Sequence, residues 1–388
     1  MRFKRYTTEW IKINLSNYLF VSSKRNKDGR FSKEDVLSVS GELGIVNQIA
    51  LLGRSYAGES VLPYHIVEKG DIVYTKSPLA LYPYGIIKTN RNKVGIVSTL
   101  YAVYKTKDNA NNRFIEHYFS LKSRINNYLK PIVRIGAKHD MKIGNNEVLE
   151  NIVAFPDISE QCEIADFLDL LDNRISVQNK IISDLKVLKK ELCNRYFKSV
   201  HNDTSLEYVT LKDILTERKE YCSKDGTYTH GTLSKEGVSP KTERYDRDFL
   251  VKNEDKQYKV THFNDICYNP ANLKFGVICR NIYGDLIFSP IYVTFEIADT
   301  VYPAYIELFL TNANFIGRIR RYEQGTVYER MAVSPEDFLS YETRMPTYKE
   351  QVKFADKIQR IQDKIELESL FLNYLQKQRK YLLNAMFI

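Results

Sequence analysis

Apolar residues recur at alternating steps of three and four along two long stretches of this chain. The first seam reads Ile164, Leu168, Leu171, Ile175, Gln178, Ile182, Leu185, Lys189, Leu192 and Tyr196. The second reads Phe354, Ile358, Ile361, Ile365, Glu368, Leu372, Leu375, Arg379, Leu382 and Met386. That period predicts helices rather than strands. Neither stretch has an internal Pro or Gly, and Pro156 and Pro346 stand where each helix should begin.

The two stretches are one pattern written twice. PDISEQCEIADFLDLLDNRI opens the first copy and PTYKEQVKFADKIQRIQDKI the second, pairing Glu160 with Glu350, Gln161 with Gln351, Ala165 with Ala355 and Phe197 with Phe387 without a gap. Even the polar interruptions of the seam fall at matching positions. About forty residues make a rod of roughly 60 Å, longer than the core of one domain needs, so the rods are expected to connect or space two bodies. Stripes of that length should bury against each other. Glu160, Glu163, Asp166, Asp169 and Asp172 open the first helix, while Lys377, Arg379 and Lys380 close the second. Those charges predict an antiparallel pair, with Gln178 and Glu368 close together near the midpoints.

The duplication reaches beyond the helices. Ile13, Leu15 and Leu19 resemble Val209, Leu211 and Leu215; KGDIVYTKSP (Lys69 to Pro78) parallels FNDICYNP (Phe263 to Pro270); Gly85 matches Gly276; and FIEHYF (Phe114 to Phe119) matches YIELFL (Tyr305 to Leu310). Short runs at Ile72 to Thr75, Tyr84 to Lys88, Val94 to Val103, Asp265 to Tyr268, Val277 to Arg280 and Ile291 to Phe295 read as strands. The FIEHYF and YIELFL blocks read as helices. The expected class is α+β with a small, mostly antiparallel sheet in each half. Domain 1 is placed at residues 1–156, helix 1 at 157–200, domain 2 at 201–346 and helix 2 at 347–388, with His201 to Ser205 as a polar hinge.

Composition narrows the partners. The net charge is +9 over 388 residues. Ser159 to Lys198 of the first helix balances seven acidic against seven basic residues and Lys349 to Met386 of the second holds five against eight, so most of the excess belongs to the globular parts. A basic surface points to a polyanion, nucleic acid first. No run approaches the apolar length of a membrane span, and MRFKRYTTEW is too polar for a secretory signal. Five scattered cysteines without a CxxC pair argue against a disulfide framework or structural zinc, and for a reducing cytoplasm.

Active-site motifs are missing. GRSYAGES (Gly53 to Ser60) has phosphate-loop glycines but puts Glu59 where a Lys must stand. Asn269-Pro270-Ala271-Asn272 lacks the second Pro and the aromatic of an amino-methyltransferase turn. Asp184-Leu185-Lys186 has nuclease letters but lies on the long helix, where it reads as a solvated face. Six single histidines suggest neither a metal site nor a nucleophile and base, and His117 reads as a packing residue. No catalytic residue, metal or cofactor is expected.

What remains is basic residues mixed with aromatics and amides. In the first domain Lys76, Lys88, Asn90, Arg91, Asn92 and Lys93 crowd the turns between strands, and Arg134, Lys138 and His139 precede the helix. The second domain offers Lys241, Arg244, Tyr245 and Arg247, then Arg318, Arg320, Arg321, Tyr322 and Gln324, with Arg330 beyond. Such side chains neutralise phosphates, and Arg, Asn and Gln also read base edges. The DNA-binding candidates are thus Lys76, Lys88, Arg91, Lys93, Lys138, Lys241, Arg244, Arg247, Arg318, Arg320, Arg321 and Arg330. The competing reading is a coiled-coil adaptor without sequence readout, which explains the helices and leaves the basic domains unexplained.

The repeated Pro-x3-Glu-Gln helix opening, the GDIVYTKSP strand and the segment from Tyr305 to Gly325 together resemble the DNA specificity (S) subunits of type I restriction-modification systems. The resemblance implies two target recognition domains, each followed by a conserved helix, the helices packed as an antiparallel coiled coil with pseudo-twofold symmetry. It implies a non-catalytic subunit that reads a bipartite, asymmetric site on double-stranded DNA. Two methyltransferase (M) subunits would dock on the helices and carry the methyl donor, and restriction (R) subunits are a partner the resemblance leaves open. The first domain departs from the pattern, since nothing after FIEHYF matches the Gly325-Thr326 of the second. Domains so spaced would meet the major groove about one helical turn apart, roughly 34 to 36 Å.

Overall fold

The two amphipathic stretches form unbroken helices, Ile158–Asn202 and Tyr348–Met386, in the computed structural model, which describes residues 2–79, 81–135, 141–223, 227–241, 257–323 and 332–387. With no Pro or Gly inside, nothing interrupts either hydrogen-bond ladder. The expected hinge at His201 is therefore shorter than it reads. The helix runs on to Asn202, and the turn begins at Asp203, whose carboxylate accepts from the Ser205 amide at 3.0 Å.

The chain divides into two compact units, Met1–Asn179 with Phe371–Ile388, and Lys180–Leu370. Each unit holds a segment of both helices. In the first, Ile164, Leu168 and Leu171 share a core with Leu375, Leu382, Leu383 and Met386. There Arg379 grips Asp172, and Arg174 lies 5.2 Å from the Phe371 ring, so the segments run antiparallel. In the second unit Tyr196 stacks on Phe354 at 3.6 Å and Lys189 donates to Gln362 at 2.9 Å, again antiparallel. The matched polar seam positions, Lys189 and Arg379, thus each reach a polar partner on the facing helix. The direction is the one the end charges predict, but those charges mostly pair within the first domain. Of the five acids opening the first helix only Asp172 pairs with the second, whereas Glu160 and Glu163 pair with Arg2 and Arg5, and Asp166 and Asp169 with Arg113.

Both units repeat one sheet. Leu19–Val21, Tyr101–Thr106, Ile72–Thr75 and Ile87–Thr89 are neighbours in that order and all antiparallel. In the second unit the order is Leu215–Glu217, Val293–Ile297, Ile266–Tyr268 and Ile278–Arg280. A clasp closes each domain before its helix, Ile11–Asn14 on Ile152–Phe155 and Tyr208–Thr210 on Glu342–Arg344. The run from Val94 to Val103 is two strands, Gly95–Val97 and Tyr101–Thr106, because the Tyr101 amide folds back to the Ser98 carbonyl at 3.0 Å. The run from Tyr84 shrinks to Ile87–Thr89 because Gly85 turns the chain at φ +87°. Its match Gly276 has φ +81°. A Cβ on Gly85 would meet the Thr75 carbonyl oxygen at 2.0 Å. Gly85→Ala is therefore expected to cost the first unit about 3 kcal/mol, read as a lower denaturation midpoint; an unmoved midpoint would mean that the hairpin yields freely.

The Pro-x3-Glu-Gln signature is a buried clamp. Gln161 donates to the Pro156 carbonyl at 2.9 Å and the Asn109 carbonyl at 3.1 Å, and accepts from the Asn111 amide at 3.0 Å. Gln351 donates to the Pro346 carbonyl at 2.9 Å and accepts from the Tyr302 amide at 2.9 Å. Asn111 and Tyr302 cap the equivalent helices Asn112–Tyr118 and Pro303–Leu310. One glutamine therefore ties the start of each long helix to the N-terminus of the equivalent helix in its domain. The matched aromatics at the helix ends dock in the same way: Phe387 meets Phe114 at 5.4 Å and Tyr118 at 5.7 Å, and Phe197 meets Tyr305 at 5.7 Å and Phe309 at 5.5 Å.

Candidate nucleic-acid interface

The cations of the first domain divide into those committed inside the unit and those left outside. Asp169, on the first long helix, accepts from Arg91 Nη1 at 2.7 Å, Arg113 Nη1 at 3.0 Å and His117 Nε2 at 2.8 Å. Glu116 accepts from Arg91 Nε at 2.9 Å and faces Lys88 Nζ at 3.8 Å. Burial opposes the charge on Asp169, but the hydrogen bonds from His117 and Arg91 outweigh it and hold this carboxyl well below the usual carboxylate range. His117 is buried, as a packing residue would be, yet its imidazole works as a hydrogen-bond donor to the helix.

Lys76 is also occupied, donating to the Ile143 carbonyl at 2.9 Å and Asn145 Oδ1 at 2.5 Å, and burial pushes its ammonium pKa down. Burial does the same to Lys88, which lies within a strand rather than a turn. Asn90 is not on the surface at all. Its amide donates to the Val67, Glu68 and Lys93 carbonyls, and its match Asn281 fills the same role with the Gly284 carbonyl. Both are buried turn-builders. Lys93 stays exposed with no ion-pair partner among the described residues.

In the second domain Arg320 is exposed and faces Glu323 at 3.8 Å, and Arg321 donates from Nε to the Arg318 carbonyl at 3.1 Å. Arg318 lines a cavity of about 310 Å³ with Phe197, His201, Asn312 and Tyr341. Burial, with Arg318 and Arg344 nearby, pushes the His201 pKa down. Lys241 is half-buried. Lys138, Arg244, Arg247 and Arg330 lie outside the described residues, as do His139, Tyr245 and Gln324.

The structure adds two residues that sequence reasoning passed over. Lys274 and Phe275 end a turn, Leu273–Phe275, that packs against helix Ala313–Ile319. Phe275 is exposed, and Lys274 Nζ lies 5.4 Å from its ring centroid. This places a cation and an aromatic beside the segment that carries Arg320 and Arg321. Gly276, matched to Gly85, marked the hairpin tip in the sequence; only the packing marks the tip as part of a basic edge.

Other polar clusters are structural in kind. Asp265 accepts a two-point contact from Arg218 at 2.8 and 3.0 Å, and Asp71 pairs with Lys105 at 3.0 Å at the matched position. His262 lies between Asp285 at 2.7 Å and Glu220 at 3.0 Å; burial lowers its pKa, and those two carboxylates more than reverse the effect. Among the described residues no three His, Cys, Asp or Glu side chains gather to hold a metal ion, and no helix is long and apolar enough to cross a membrane.

Residues 63–187 match the family model described as the type I restriction modification DNA specificity domain. The fold is similar over nearly its whole length to solved structures. One is the type I restriction-modification S subunit from M. genitalium, with a TM-score of 0.57 and 13% identity over 100% of this chain and 99% of that one. A chain from a structure of complex assembly and conformational transition of the type I R-M system gives 0.56 and 13% over 98% of both. The HsdS subunit from Thermoanaerobacter tengcongensis gives 0.51 and 13% over 99% and 98%. A comparison with curated proteins gave no match. The chain therefore resembles type I specificity subunits in fold, and over residues 63–187 in sequence as well.

Proposed function

We propose that this chain is the DNA-reading subunit of a type I restriction-modification complex, without catalytic activity of its own. The observation that carries the proposal is the repetition of one frame under different surfaces: the same sheet order and the same glutamine clamp recur, while the exposed residues around them differ. Domain 1 (1–156) and domain 2 (201–346) each read one half of a bipartite, asymmetric site, and helices 157–200 and 347–388 set the spacer. Lys93, Lys241, Arg318, Arg320 and Arg321, with Lys138, Arg244, Arg247 and Arg330, face the DNA. Lys76, Lys88 and Arg91 are engaged instead by Asn145, Glu116 and Asp169 of the same unit and brace its framework.

Two methyltransferase subunits supply the chemistry in the cytoplasm. Exposed apolar side chains on the helices support a protein partner there: Leu170, Val177, Tyr374 and Tyr381 in the first unit, Val187, Leu188, Leu367 and Leu370 in the second. These residues alone would equally suit an adaptor, and salt-dependent duplex binding separates the two readings.

Methylome sequencing of a host expressing the chain with its methyltransferase partner tests the proposal. A two-part methylated site is expected. Inserting one four-residue turn near Gln178 is expected to change only the unread spacer; altered half-sites would end the spacing role, and a single undivided site would end the two-reader proposal.

A further inference from the structure

The two-stranded ribbon Arg134–Ile135 with Met141–Lys142 sets two like charges side by side. Arg134 and Lys142 are cross-strand partners, as are Ile135 and Met141. Directly opposed like charges destabilise a strand pair, and both side chains are exposed with no acidic partner among the described residues. Because side chains alternate across a strand, Arg134 and Lys142 share the face opposite Met141. Met141 is buried in the first unit's core, where the Tyr74 hydroxyl reaches its Sδ at 3.9 Å, so the charged face looks away from that core.

The base of the ribbon is firmly held. Val133, just before it, is buried in the same core. After it, Lys76 binds the Ile143 carbonyl and Asn145 Oδ1, and the Tyr104 hydroxyl donates to the Asn145 carbonyl at 3.0 Å. A ribbon rooted in this way presents its two cations without first having to be ordered. Lys76 thereby acquires a role that its burial hid: it supports the ribbon.

We infer that this ribbon is the groove-contacting element of the first unit, with Arg134 and Lys142 engaging duplex DNA phosphates at the groove edge. The inference rests on the DNA-reading proposal and assigns that reading to a particular element. The ligand class follows from the geometry: two cations on one face of a two-stranded ribbon suit the major groove, which is wide enough to admit such a ribbon.

The test is the salt dependence of binding of a random-sequence duplex by the full chain. Wild type should show a steep fall in log K with log salt. Arg134→Ala with Lys142→Ala should flatten that slope by about 1.8, at about 0.9 for each lost phosphate contact, while Arg134→Lys with Lys142→Arg keeps it. Lys353→Ala with Lys357→Ala, exposed cations of the second long helix, should leave the slope as it is. An unchanged slope in the alanine pair, with an unchanged denaturation midpoint, overturns the inference and leaves the DNA-reading proposal standing. Equal flattening in the helix control overturns it too, because any surface charge would then serve. Loss of polyglutamate binding with duplex binding intact would transfer the ribbon to an acidic protein. Absence of salt-dependent duplex binding by wild type removes the DNA-reading proposal and the inference together.

Discussion

Asp169→Ala is expected to lower the stability of the first unit by about 3 kcal/mol, through the loss of one carboxylate that serves three cationic or hydrogen-bonding side chains. Removing one partner of a buried ion pair costs roughly 3 to 5 kcal/mol. The lower end applies because Arg91 and Arg113 keep 40% and 36% of their side-chain surface and can turn to water. His117, at 2%, cannot. The folded carboxyl titrates below its unfolded value, so its contribution is fully present above the ordinary carboxylate pKa and is lost as pH falls through the depressed folded value. Acid titration of stability should therefore show a limb in the wild type that Asp169→Asn removes. The matching position in the second unit is Gln359, and aromatic packing of Tyr196, Phe197, Tyr305 and Phe354 holds that helix instead. Raising salt should loosen the first docking more than the second. A midpoint within 0.5 kcal/mol of wild type, on the order expected for plain surface sites, would show that Asp169 organises nothing.

Gln161→Leu should cost nearly as much, and more than Gln351→Leu. The first clamp satisfies two carbonyls and one amide, the second one carbonyl and one amide. A buried backbone group left without a partner costs about 1 to 3 kcal/mol. Losses of roughly 3 and 2 kcal/mol follow from that range, measured by urea unfolding of the full chain. Gln351→Glu should fall between wild type and Leu, because a carboxylate still accepts from the Tyr302 amide but cannot donate to the Pro346 carbonyl. The reverse order of the two Leu variants would refute the clamp as the reason the motif appears twice.

The helices and their seam were legible because a repeat without gaps states its own register, and the antiparallel direction because acids open the first helix while bases close the second. The strand runs were legible where Gly or Pro bounds them and misread at Val94 to Val103, since a turn through Ser98 leaves no such mark. The reason for Gln161 and Gln351 was hidden, because their partners at Asn111 and Tyr302 lie about fifty residues upstream. The site was harder still. Lys88 and Arg91 look like surface charge until Glu116 and Asp169 come alongside. Lys142 carried no signal until its strand partner proved to be Arg134.

The first unit's core includes Phe387, which touches Trp10, Phe114 and Tyr118. A growing polypeptide therefore cannot finish that core until the helix Tyr348–Met386 and Phe387 have left the ribosome. The second unit, continuous from Lys180 to Leu370, is complete in sequence earlier and can form first. Synthesis thus leaves the first unit with open aromatic surface for longer than the second, and aggregation during that interval is the hazard its split core creates.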